Sequence, residues 1–160
     1  MTTVVQTLIE DIQRLTRDLE IKTTQLGRAL EMKVDGSDAD IVLCFDGGVK
    51  PGHAYGSYRI GVGDIVRMRH GGAGVTSNQA EYLTLLAGLN ALSAQVRPEN
   101  HAITLVGDSK LVLNQISGIW ECRHIRLIPL RDAAIEALSE YRSWKAEWVP
   151  REAIVKVFGH

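Results

Sequence analysis

Two short apolar segments of this sequence each lead directly to an aspartate. IVLCF at 41–45 is followed by Asp46 and two glycines, and HAITLVGD ends at Asp108. Apolar runs of this length that contain β-branched residues and end at turn-forming residues are typical of buried strands. The first strand is predicted to break into a tight turn at Asp46. If the two strands are neighbours in one sheet, both carboxylates emerge at the same edge.

The chain from residue 41 onward predicts an alternation of strands and helices. The predicted segments are strands at 54–62 and 64–69, a helix at about 78–95, helices beginning at Ser109 and after Pro129, and a final strand, WKAEWVP. The order of three strands, helix, strand, two helices and strand indicates an α/β domain with a mixed sheet. We therefore predict one domain over residues 41–160.

Residues 1–33 predict one long amphipathic helix, followed by a linker at 34–40. Its apolar residues recur at alternating spacings of three and four, a heptad pattern that the polar Lys22 and Gly27 weaken. The members of this apolar stripe are Val5, Leu8, Ile12, Leu15, Leu19 and Leu26. Such a stripe must be buried. A coiled coil in a homodimer is the first prediction, docking on the chain's own domain the second, and a different protein the third.

Composition and charge narrow the class of protein without identifying a partner. Hydrophobic residues make up 45% and charged residues 23%, a balance typical of globular proteins. No apolar run approaches the roughly 18 residues of a membrane span, and the first 20 residues lack the pattern of a secretory signal. Cys44 and Cys122 are interpreted as reduced thiols, which favours a cytoplasmic protein. The net charge of −1 does not by itself predict nucleic-acid binding.

A third acid, Glu81, lies in the first turn of the helix predicted between the two aspartate-ending strands. Taken singly, each acid has an ordinary structural explanation, because aspartates form turns, helical glutamates are solvated, and Asp108-Ser109 is also a helix-capping signature. Taken together, three clustered carboxylates repel one another unless a cation neutralises them. Oxygen ligands predict Mg²⁺ or Mn²⁺.

Three ordered segments around these acids resemble the leading motifs of type 1 ribonuclease H, most closely those of archaeal-like and short bacterial members. They are CFDGGVKPGHAYGSYRIGV, TSNQAEYLTLLAGLNAL and VGDSKLVLNQISGIW, and WVPRE at 148–152 is similar to the last strand of the family. The resemblance spans residues 41–152. Three motifs in the expected order and secondary structure are far more specific than any one of them.

The resemblance implies a five-stranded mixed sheet flanked by helices and hydrolysis of the RNA strand of an RNA–DNA hybrid with two divalent ions. It implies that Asp46 bridges both ions, while Glu81 and Asp108 complete the second site. It also implies contacts with the substrate. The matching positions are Gly47, Gly48, Asn78 and Gln79 for the RNA strand, and Asn114 and Trp120 for the DNA strand. Ser77 stands where the family commonly has an asparagine, which predicts a weaker contact with one 2′-hydroxyl.

The match departs from the family after Pro150. The family's fourth carboxylate aligns with Phe158, and we predict that the last helix is missing, so that the domain is shortened at its C-terminus. Three explanations stay open: a divergent form that lost activity, replacement of the acid by Glu152 or by another chain, or an altered end of the sequence. The alternatives to the nuclease are a catalytically weak or inactive module that binds nucleic acid or a protein partner, and a junction resolvase.

Overall fold

The computed structural model describes residues 3–31, 41–71 and 73–159, with backbone alone for 24–31. It contains five strands, five α-helices and a short 3₁₀ helix at Pro98–Asn100 within these ranges. In chain order the main elements are α1 (Val4–Glu31), β1 (Ile41–Lys50), β2 (His53–Ile60), β3 (Val66–His70), α2 (Ser77–Ser93), β4 (Ala102–Gly107), α3 (Lys110–Ile116), α4 (Ile128–Ser139), β5 (Ser143–Trp148) and α5 (Arg151–Phe158).

The strands form one mixed sheet in the order β3-β2-β1-β4-β5. β1 runs antiparallel to β2 and parallel to β4, and β4 runs parallel to β5. This arrangement confirms the predicted five-stranded mixed sheet and the predicted neighbourhood of β1 and β4. The parallel register pairs Cys44 with Val106. Asp46 lies two residues after Cys44, and Asp108 lies two residues after Val106.

Both faces of the central strands are covered. Alternate residues such as Leu43 and Phe45 point to a core shared with α2, α3 and α4, whereas Val42 and Cys44 belong to a second core on the other face. The same division holds in β4, where Leu105 faces the first core and Val106 the second. The central strands are therefore buried on both sides.

The prediction that the last helix is missing is wrong. Residues 151–158 form α5, which begins after Pro150 and ends at Gly159 in the left-handed conformation (φ 79°). Its apolar residues Ala153, Ile154 and Phe158 are buried in the second core. Eight residues are enough for this helix because its stability comes from the sheet face that it covers rather than from its length.

The N-terminal segment forms the predicted helix, α1, and most of the described part of its apolar stripe is exposed, whereas Leu19 is half-buried. Val5, Leu8, Ile12 and Leu15 are exposed, and the side chain of Leu26 and the predicted linker lie outside the described residues. Where α1 meets the rest of the chain, it contacts α5, and Lys22 Nζ lies 5.0 Å from the ring centroid of Trp148. Within the described ranges, no helix combines the length and apolarity needed to cross a bilayer.

Candidate active site

Asp46 lies in the middle of β1 rather than at its exit. Hydrogen bonding to β4 ends near Cys44, but antiparallel pairing with β2 continues through Asp46 opposite Ser57 to Lys50 opposite His53. The predicted turn at Asp46 is therefore wrong, because pairing with β2 outweighs the local turn preference of the two glycines. As a result the carboxyl group of Asp46 is held on rigid backbone and is fully buried.

Glu81 reaches the same edge of the sheet from the beginning of α2. A capping box starts this helix: Thr76 Oγ1 accepts from the Gln79 N–H at 3.2 Å, and Gln79 Oε1 accepts from the Thr76 N–H at 2.9 Å. Gly47 permits the close approach of α2 to β1, since a Cβ atom there would lie 2.5 Å from the carbonyl carbon of Ala80. Glu81 is consequently buried beside Asp46.

The three predicted carboxylates form one cluster. One oxygen from each of Asp46, Glu81 and Asp108 lies within 4.8 Å of the others. Burial raises the pKa of Glu81 well above its ordinary value, and the negative charges of Asp46 and Asp108 raise it further, while the Gly47 N–H opposes the shift. Glu81 Oε2 is buried without a hydrogen-bond partner among the described residues. Hard oxygen donors packed this closely suit a divalent cation.

A cation that the sequence analysis did not single out contacts two members of this cluster. Arg151 Nη1 lies 2.9 Å from Asp46 Oδ1 and 3.2 Å from Asp108 Oδ2. Partial burial alone would lower the pKa of Arg151, but the charges and hydrogen bonds of the two aspartates raise it. Arg151 reaches this edge because it lies three residues after the end of β5, which runs parallel to β4, and the sequence alone does not show that position.

The neighbouring Glu152, one of the predicted replacements for the fourth carboxylate, lies outside the acidic cluster of the described residues. Its side chain is exposed. Phe158, which aligns with the family's fourth acid, is 1% exposed and packs in the second core. The chain therefore presents three clustered carboxylates and one arginine at this edge of the sheet.

The residues predicted to contact the RNA strand belong to the two elements that carry Asp46 and Glu81, β1 and α2. Gly47 and Gly48 are buried in β1, directly after Asp46, and Asn78 is exposed in the first turn of α2. Gln79 has a structural role in the capping box, which engages its side-chain oxygen. Gly47, Gly48 and Asn78 therefore lie within three residues of Asp46 or Glu81 along the chain.

The residues predicted to contact the DNA strand lie at the end of α3. The Asn114 carbonyl accepts hydrogen bonds from the N–H groups of Ile119 at 2.9 Å and Trp120 at 3.0 Å. This turn holds Trp120 with 46% of its surface exposed, so its indole is available to a partner rather than packed in the core. The following loop carries the exposed basic residues Arg123 and Arg126.

Trp148 is a second residue of the site that the sequence analysis did not single out. Its indole Nε1–H donates to the Asp108 carbonyl at 3.0 Å, which ties the end of β5 to the loop that carries Asp108. Lys110 Nζ lies 4.5 Å from the centroid of the same ring, within the range of a cation–π interaction. Trp148 therefore helps to fix the backbone at Asp108.

Comparisons with known proteins agree with this geometry. The model of a family described as reverse transcriptase-like matches residues 59–157. Ribonuclease HI of Halobacterium salinarum is 36% identical over 112 residues, which are 67% of this chain and 55% of that protein. The bifunctional protein Rv2228c of Mycobacterium tuberculosis is 42% identical over 76 residues, 48% of this chain and 20% of that protein. The chain thus spans about a fifth to about half of the length of these curated relatives.

Solved structures show the same fold. The ribonuclease H1 crystal structure from Halobacterium salinarum has a TM-score of 0.61 and 32% identity, covering 71% of this chain and 88% of that one. The N-terminal ribonuclease H domain of Rv2228c has a TM-score of 0.63 and 30% identity, covering 71% of this chain and 84% of that one. The structure of LC11 ribonuclease H1 in complex with an RNA/DNA hybrid has a TM-score of 0.63 and 20% identity, covering 71% of this chain and 87% of that one. At this identity it supports the fold alone. The family model covers more than half of this chain, and the ribonuclease H1 of Halobacterium salinarum, which is 32% identical, is covered to 88% of its length, so this protein belongs to the type 1 ribonuclease H family.

Proposed function

We propose that this protein is a metal-dependent endoribonuclease that hydrolyses the RNA strand of RNA–DNA hybrids. The observation that carries the proposal is the cluster of Asp46, Glu81 and Asp108, whose oxygens lie within 4.8 Å of one another at one edge of the sheet. The 36% identical relative named ribonuclease HI, from Halobacterium salinarum, supports this substrate class.

The donor set fits Mg²⁺ or Mn²⁺. Divalent ions bound here would supply a water of lowered pKa and stabilise the leaving oxygen. Asp46, Glu81 and Asp108 would hold these ions through their carboxylate oxygens. Burial of Asp46 within paired β1 and of Glu81 within capped α2 holds both carboxylates in place, so little reorganisation is needed when a cation binds.

The substrate would be recognised on both sides of the cluster. Exposed Asn78 and the amide nitrogen of Gln79 would donate to the RNA backbone and its 2′-hydroxyls, which is how a protein distinguishes RNA from DNA. Gly47 and Gly48, which directly follow Asp46, would contact the RNA backbone. Asn114 and the exposed Trp120 would contact the DNA strand, with the indole lying against a sugar.

A cleavage assay tests the proposal. We expect slow hydrolysis of a labelled RNA strand in a hybrid, faster with Mn²⁺ than with Mg²⁺, because Mn²⁺ tolerates an incomplete oxygen shell and Phe158 supplies no fourth carboxylate. Double-stranded DNA should remain intact, and EDTA should stop the reaction. Absence of hybrid cleavage with either metal would contradict the proposal.

One observation favours a second candidate, a catalytically weak or inactive module that binds nucleic acid or a protein partner. Phe158 is part of the second core, and Arg151 contacts two of the three acids, so the site differs from a four-carboxylate centre. Binding of the hybrid without cleavage, in the same buffers and at the same metal concentrations, would support this candidate and exclude the nuclease.

The N-terminal helix has a separate proposed role. We propose that residues 1–33 form a unit apart from the 41–160 domain, and that its exposed stripe pairs with a second copy of the chain. The double substitution Leu8→Glu and Leu15→Glu should convert a dimer to a monomer in light scattering, because charge in the apolar seam opposes helix pairing.

The matched control is the double substitution Gln6→Glu and Gln13→Glu, which adds the same charge to exposed positions of α1 outside the stripe. This control should leave the dimer intact. A protein that is monomeric before any substitution, or a dimer that survives both double substitutions, would show that the stripe is not a homodimer interface.

A further inference from the structure

Arg151 stands where local electrostatics disfavour a cation. It is the first residue of α5, and the N-terminus of a helix carries partial positive charge that repels guanidinium groups. Its position therefore has to be explained by another contact. The two aspartates provide it, since a single nitrogen, Nη1, lies within hydrogen-bond distance of both Asp46 Oδ1 and Asp108 Oδ2.

These contacts use carboxylates that the proposed function requires for the ion. A divalent ion coordinated by Asp46 and Asp108 would meet their oxygens at about 2.1 Å. A guanidinium nitrogen at 2.9 Å from Asp46 and 3.2 Å from Asp108 would then lie beside that ion, where two positive charges repel each other. The guanidinium group and the divalent ion therefore cannot keep all of their contacts with Asp46 and Asp108 at the same time.

The arginine can leave the cluster without disturbing either core. Its side chain is 47% exposed, whereas that of Asp46 is 1% exposed and that of Asp108 is 12% exposed. The guanidinium group of Arg151 therefore reaches Asp46 and Asp108 from the solvent side, at the end of a flexible side chain. The two aspartates, in contrast, are held in place by the fold. Rotation of this side chain into solvent would break its hydrogen bonds to both carboxylates.

We propose that Arg151 is an internal counter-cation that neutralises Asp46 and Asp108 and competes with the divalent ion for them. The proposal rests on the proposed function, because it takes the cluster to be the metal site. Competition is reciprocal: each cation weakens the binding of the other by the same factor. At low metal concentration the chain would stay stable, because Arg151 offsets the negative charges of the two aspartates. Occupancy of the metal site would require a higher metal concentration than a site made of the three acids without Arg151.

Isothermal titration of the full chain with MnCl₂ tests this without measuring activity. Arg151→Gln removes the competing charge with little change in length, and its Kd for Mn²⁺ should fall at least about fivefold, the lower end of typical coupling between sites. Lys156→Gln is the matched control, since it removes one positive charge from an exposed position of the same helix and should leave Kd unchanged. Should Arg151→Gln fold poorly, Arg151→Lys, which keeps the charge but cannot bridge two carboxylates in the same way, should show a smaller fall.

Thermal unfolding supplies an independent readout. In EDTA, Arg151→Gln should unfold at a lower temperature than the parent protein, and Mn²⁺ should raise its midpoint by more than it raises the parent's. A Kd for Arg151→Gln equal to or higher than that of the parent, with binding lost in Asp46→Asn, would overturn the counter-cation role and leave the metal site intact. Absence of Mn²⁺ binding in the parent and in Arg151→Gln alike would overturn both proposals.

Discussion

Replacing Asp46 by asparagine is expected to reduce hybrid cleavage at least about a thousandfold, since an ion at such a site contributes several kcal/mol to transition-state stabilisation. Asp46 is expected to be the main ligand of the divalent ion, and it is the most deeply buried of the three acids. Asparagine has nearly the same shape but no charge, so the cluster would lose its central ligand while the backbone of β1 keeps its pairing with β2.

The measurement compares initial rates of RNA-strand cleavage for Asp46→Asn and for the parent protein at saturating Mn²⁺. Asp64→Asn is the control, because Asp64 is exposed in the turn between β2 and β3 and should retain full activity. Thermal unfolding of both variants verifies that they are folded. Cleavage by folded Asp46→Asn at the rate of the control would mean that the hydrolysis takes place elsewhere or does not need this carboxylate.

Replacing Phe158 by aspartate, the residue that the family carries at the aligned position, is expected to destabilise the protein rather than restore a ligand. Phe158 is 1% exposed and packs with Val42, Cys44 and Ile154. Loss of the ring together with burial of a carboxyl group should cost at least about 4 kcal/mol. For a domain of this size that corresponds to a fall of about 10 °C or more in Tm.

Val155→Asp provides the comparison on the same helix. Val155 is 39% exposed, so an aspartate there stays in contact with solvent and should lower Tm by only a few degrees. Calorimetry or circular dichroism at equal ionic strength measures both variants. If Phe158→Asp unfolds no earlier than Val155→Asp, Phe158 does not hold α5 against the sheet, and a fourth carboxylate could be accommodated at this position.

Residue patterns predicted a mixed sheet and the strands that end at Asp46 and Asp108, and the resemblance to ribonuclease H implied the five-stranded sheet and the joint metal site of the three acids. The β-branched runs that end at Asp46 and Asp108 indicate buried strands, and the intervening helix with Glu81 indicates a crossover that places them side by side. The parallel register of β1 and β4 confirms this part. The roles of these residues in catalysis and in metal binding remain predictions.

The features that could not be predicted depend on tertiary contacts. Asp46-Gly47-Gly48 is locally a turn signal, yet pairing with β2 extends the strand to Lys50. The segment REAIVKVF is too short to predict a helix, and it becomes one because the second core covers its apolar face. Arg151 is unremarkable in sequence, since only the position of α5 relative to β1 and β4 brings its guanidinium to Asp46 and Asp108.

The most direct test of the metal centre is anomalous diffraction from a crystal of the full chain soaked in MnCl₂. We expect a strong anomalous peak within coordination distance of Asp46, bordered by Glu81 and Asp108, with the Arg151 side chain moved away from both aspartates. A map with manganese bound only at other sites, and with Arg151 still in contact with Asp46, would contradict the assignment of this cluster as the metal centre.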